Sequence, residues 1–156
     1  MSDASFEIKS SADFFRALED AVQDFRDDPT SSRKAVAAFM FAYHLREWIW
    51  KEHEAVVRDK KGCDTASDFN TFVNNAHLNF PVIRDICNGS KHFGRDPTSR
   101  VDTSGLSGGA FSRSFSSGFN IGRLTVTVNG SQLQAEHLLN DVVSHYRGLL
   151  QNLGLI

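Results

Sequence analysis

Two short polar stretches carry residue types with which proteins do chemistry. The first is Arg84-Asp85-Ile86-Cys87-Asn88-Gly89-Ser90-Lys91-His92. On a helical wheel, Val82, Ile83, Ile86 and Phe93 fall on one side, and Arg84, Asp85, Asn88, Lys91 and His92 share the opposite arc. Gly89 and Ser90 are poor helix formers set among the polar residues. Asn, Lys and His also differ from the Glu/Lys mixture that merely solubilises a helix. The second stretch is Tyr43-His44-Leu45-Arg46-Glu47-Trp48, inside a long apolar run. His44, Glu47, Lys51 and Glu54 form a narrow polar stripe at i, i+3, i+7 and i+10. A polar group buried on such a helix needs a partner, because leaving it unpaired costs about 1–3 kcal/mol.

If the stripes face each other, Glu47 pairs with Arg84, Lys91 or His92, and the carboxylate raises the proton affinity of His92. The plain alternative is a structural network that fixes helix register. The residues expected to bind are His44, Glu47, Asn88 and Lys91. Acid–base chemistry would fall to His92, with Arg84 holding an anion. A metal is not expected: His44 and Glu47 would need His92 or His53 to complete them, and His53 lies about half a turn from His44. No cofactor motif is present, since Gly105-Leu106-Ser107-Gly108-Gly109 lacks the strand, helix and Lys-Ser/Thr of a phosphate-binding loop. Cys63 and Cys87 share no CxxC spacing and sit beside no His, so reduced, unreactive thiols are expected.

The elements that must position these residues follow from periodicity. The 156 residues suit one domain with a real core. A first helix starts at Ser10 or Ser11, carries Phe14, Phe15, Leu18, Val22 and Phe25, and stops at Asp27-Asp28-Pro29-Thr30. A second runs from Ser32 to Asp59 and is apolar almost all round, which makes it central. Ser67 or Asp68 caps a third; Pro81 lies in the first turn of a fourth, ending near Lys91–Phe93. Residues 94–122 turn Gly- and Ser-rich. Phe111, Arg113 and Phe115 alternate with serines, and Leu124, Val126 and Val128 with threonines, predicting a β-hairpin that turns around Ser116–Asn120. Ser131 and Gln134 read as a capping box opening the last helix. The expected architecture is therefore mainly α: about five helices in a bundle, with a β-hairpin inserted before the C-terminal helix. In outline, residues 1–93 are helical, 94–130 loop and hairpin, and 131–156 the last helix.

Net charge is −2, where a protein held to duplex DNA by phosphate contacts is usually basic, so DNA is disfavoured. The N-terminus has no signal-peptide pattern and the longest apolar stretch, Ala35–Leu45, is too short to span a bilayer, so a cytoplasmic, membrane-free protein is expected. A homodimer and an RNA or other anionic ligand are the partners left open.

The pair Y-H-L-R-E-W and R-D-I-C-N-G-S-K-H-F, spanning roughly residues 35–95, resembles segments of a group of small uncharacterised bacterial and phage proteins; that resemblance implies no activity. The order Arg84-Asp85 followed by His92 is also similar to the motif of the HEPN superfamily, helical bundles that often dimerise and include metal-independent ribonucleases. Seven residues separate Arg84 from His92, more than the family's usual spacing, and Gly89 lies among them. The resemblance implies that Arg84 and His92 of two protomers converge on an RNA phosphate.

Overall fold

The computed structural model describes residues 6–91, 101–107 and 123–156, with 89–91 and 101–107 as backbone. The first helix, α1 (Ser11–Asp27), opens where the Ser10 hydroxyl accepts from the Asp13 N–H at 3.0 Å. The Arg16 side chain, the Ser10 hydroxyl and the Lys9 N–H stabilise the Asp13 carboxylate and hold its pKa down to about 2. Phe15, Leu18, Val22 and Phe25 are buried, whereas Phe14 is only half-buried. The helix α2 (Ser32–Lys61) runs two residues past the expected end and closes on Gly62, whose φ of 66° needs glycine. It kinks at His53 (φ −127°, ψ 28°). There the Ser11 N–H donates to the Glu52 carboxylate, and His53 Nε2 lies 3.1 Å from the Ser11 hydroxyl. Burial pushes the Glu52 pKa up, but the Ser11 and His53 contacts outweigh it, and the carboxyl sits below its ordinary value.

The α3 helix (Ala66–Ala76) is capped by Thr65, not by Ser67 or Asp68. Asp68 serves instead as the reciprocal acid, accepting from the Thr65 N–H at 2.9 Å while its own N–H donates to the Thr65 hydroxyl at 3.1 Å. Helix α4 (Asn79–Lys91) has Pro81 in its first turn as expected, and α5 (Ala135–Leu153) ends at Gly154 with φ 74°. The other four helices all pack on α2. Leu45 and Ile49 are fully buried on it, and each contributes about 1.5–3 kcal/mol by leaving water. This central position is what an all-round apolar helix demands.

The fold is the expected helical bundle with a β-hairpin before its last helix, but two strand assignments need correction. The partner of β2 (Arg123–Val128) is β1 (Val101–Ser107), with Val101 opposite Val128 and Ser107 opposite Arg123. Phe111–Phe115 and the turn at Ser116–Asn120 lie outside the described residues. Ser131–Gln134 is not a capping box but a third antiparallel strand, β3, with Thr125 opposite Gln134. Asn129 (φ 51°) and Gly130 (φ 85°) explain this: two left-handed residues in succession make a two-residue hairpin turn whose twist matches the strands. Gln134 then offers α5 no side-chain cap. No described helix is long and apolar enough to cross a membrane.

Candidate functional site

The sequence-derived site residues divide into two groups, and α2 turns a third face between them. His44 Nδ1 lies 3.4 Å from Glu47 Oε1, and the His44 ring meets Tyr43 edge-on at 5.1 Å. Both side chains are partly exposed. They line an open groove with Phe14, Met40, Phe41 and Trp48, all from α1 and α2. Glu47 and Trp48 also line a neighbouring groove with Lys9, Lys51 and Glu52. On α4, Arg84 Nε is 3.0 Å from Asp85 Oδ1, with Arg84 half-exposed, and Asn88 is exposed. The Lys91 side chain and all of His92 lie outside the described residues.

Toward α4, α2 presents Phe39 and Arg46. The Cys87 thiol donates to the Phe39 carbonyl at 3.2 Å, and the Arg46 guanidinium lies 5.9 Å from the Phe80 ring centre. No α4 residue lines either groove that Glu47 borders. Among the described residues His44 pairs with Glu47 and Arg84 with Asp85, and no described contact joins the two pairs. Angular position explains the separation: at 100° per residue, Glu47 lies roughly 80° and His44 roughly 140° around α2 from Phe39. Among the described residues no group of three metal-ligating side chains converges.

Aromatic side chains dominate the surface around His44 and Glu47. Phe14 stacks on Trp48 at 4.9 Å (27° between planes) and meets Phe41 at 5.2 Å. Phe14 and Phe41 both belong to apolar periodicities that read as core from sequence. Partial exposure of three large aromatics on one surface was hidden by that reading.

A second polar group was missed altogether. It joins α3, α4 and α5. The Asn79 amide donates to Asp141 Oδ2 at 3.0 Å, and the Asn79 backbone N–H donates to His77 Nδ1 at 3.1 Å. Nδ1 accepts that bond, so the His77 tautomer that helps cap α4 carries its proton on Nε2. His77 meets His145 edge-on at 4.5 Å. Burial lowers the His145 pKa, the neighbouring His77 lowers it further, and the Asp141 carboxylate opposes both. A histidine whose folded pKa lies below its unfolded value favours folding fully above about pH 6.5; that contribution is lost as pH falls through this value toward the folded pKa. Tm should accordingly fall between pH 7 and 5, and His145→Gln should flatten the slope in melts across that range. An unchanged slope would remove His145 from the account. The Asp141/His145 spacing of i, i+4 on α5 was the available signal.

Neither cysteine is an activated nucleophile. Burial pushes the Cys87 thiol up to about 12 against the opposing charge of Arg46, and burial with Asp68 and Asp64 raises Cys63. Both are free thiols.

Comparison with family models, with curated proteins and with solved structures gives no match to this chain.

Proposed function

We propose that this protein is an interaction domain whose working surface is the α1–α2 face around Trp48, and that the surface pairs with the same face of a second copy. The observation that carries this reading is the composition of that face. An aromatic centre, with Trp48 stacked on Phe14 and Phe41 tilted against it, is bordered by His44, Glu47 and Lys51. An aromatic centre inside a polar rim is the make-up of protein–protein interfaces, where Trp is among the strongest anchors. Acidic side chains in the rim (Glu47, Glu52) argue against phosphate as the partner, since RNA binding rests on an excess of positive charge.

Self-pairing follows from the order of charges. Glu47 and Lys51 are one turn apart on the outer side of α2. A two-fold axis near Trp48, running two α2 helices antiparallel, sets Glu47 of each copy opposite Lys51 of the other. Sedimentation equilibrium of the purified chain tests the reading: a monomer–dimer equilibrium is expected, and a monomer at all concentrations up to the millimolar range would end it.

A second reading treats the chain as an HEPN-like RNA-cleaving or RNA-binding domain. It draws support from the half-exposed Arg84 held by Asp85 on α4. Cleavage of total RNA that disappears in His92→Ala would favour it; the interaction reading expects no such activity.

A further inference from the structure

On the far side of the bundle, α3 and α5 enclose a groove of about 330 Å³, at the small end of ligand pockets. Its walls are largely aromatic and apolar. Phe72 continues a stack begun by Phe69 (6.2 Å, 14°), and Phe80 lies parallel to the His145 ring (6.2 Å, 9°). Among the described residues Lys61 is the one lining residue with a permanent charge, and no carboxylate lines the groove. Lys61 Nζ donates to Asn152 Oδ1 at 2.6 Å and lies 5.7 Å from the Phe72 ring centre. Of its three N–H bonds, only this one has a protein acceptor among the described residues.

A glycine keeps the groove open. Gly148 lies within α5, where glycine weakens a helix relative to alanine. Here packing does not require it: a Cβ at Gly148 would meet nothing within 4 Å. Any larger side chain there would stand in the space that the groove encloses. The bare helix wall, the partly exposed Phe72 and His145 rings and the ammonium group suit one kind of occupant.

We propose that the α3–α5 groove binds a small planar aromatic carboxylate, with its ring against Phe72, His145 and the Gly148 wall and its carboxylate on Lys61. Ring–ring contact selects for a flat aromatic body over an aliphatic one. The charge-assisted bond to the ammonium selects the anion over its neutral isostere. This site is independent of the α1–α2 face and does not rest on the interaction reading.

The test is a titration of the ¹⁵N-labelled protein with 2-naphthoate, with 2-naphthamide as the neutral control. Saturable amide shifts are expected along α3 and α5, with 2-naphthamide at least about tenfold weaker. Lys61→Met keeps the apolar stem and should weaken 2-naphthoate by a similar factor while leaving 2-naphthamide unchanged. Gly148→Leu should abolish binding of both, with circular dichroism confirming that the variant is folded. No saturable shift, equal affinity for acid and amide, or full 2-naphthoate affinity in Lys61→Met would each overturn the assignment.

Discussion

Arg46→Ala is expected to destabilise the fold by about 2–5 kcal/mol, whereas Arg46→Met should stay within about 1.5 kcal/mol of the parent or exceed it. The difference comes from how the side chain is held. Arg46 is 3% exposed, in the middle of α2. Its Nη1 donates to Asn74 Oδ1 at 2.8 Å and its Nε to the Tyr43 carbonyl at 3.1 Å, while the Tyr43 ring lies 4.8 Å from the guanidinium carbon. Nη2 is buried and meets no acceptor in hydrogen-bond geometry, and no carboxylate ion-pairs with Arg46, among the described residues. Tyr146 is close by: burial pushes its pKa up to about 12 against the charge of Arg46, and its hydroxyl donates to the Ala42 carbonyl at 2.7 Å.

A buried cation without a counter-ion contributes little net stability, because desolvation offsets most of what its hydrogen bonds return. Its aliphatic stem still fills space between α2, α3 and α4. Methionine keeps that volume and removes the charge; alanine leaves a cavity. Chemical denaturation of the two variants separates the contributions. A loss above about 3 kcal/mol in Arg46→Met would mean that the guanidinium is paired with a charge, since breaking a buried ion pair costs about that much.

The second large effect concerns association. Trp48→Lys is expected to weaken the dimer by at least about 30-fold, the loss of 2 kcal/mol or more typical of a central aromatic anchor. Trp48 suits that role because its ring is stacked on Phe14 and so already ordered before docking. Lysine adds a positive charge to each copy close to the proposed two-fold axis, so the two charges also repel. The cost should fall on association and not on folding, as Trp48 is only partly buried in the single chain. Sedimentation and thermal melts of the same samples distinguish the two: an unfolded variant loses its melt, an interface variant keeps it. Unchanged dimer affinity in a folded Trp48→Lys would move the interface away from this face.

How much of this was legible in the sequence depends on whether local rules or neighbours decide the matter. The helices were legible because their start and stop signals are local, such as Ser10 with Asp13 and Lys61 followed by Gly62. β3 was not, since Ser131–Gln134 fits a capping-box pattern as well as a strand, and only pairing with Thr125–Val128 distinguishes them. β1 was also obscure: Val101–Ser107 contains a register shift between Asp102 and Gly105 that breaks strand alternation. The polar stripe of α2 was visible from spacing, but its direction was not. A helix that is apolar nearly all round can turn several faces to a neighbour. Here Phe39 and Arg46 took the α4 side, leaving His44 and Glu47 beside Trp48 at the surface. The His77–His145 contact joins residues far apart in the chain, and no local pattern announces it.

Charge reversal across the proposed axis examines the interaction surface most directly, by sedimentation equilibrium on three variants. Glu47→Lys and Lys51→Glu each place like charges opposite one another, and each should weaken the dimer. Combining both reversals in one chain restores opposite charges in every cross-axis pair, so the double variant should recover dimerisation to near the parent level. Losses that simply add in the double variant, or single variants that associate as the parent does, would show that Glu47 and Lys51 do not meet across a two-fold axis.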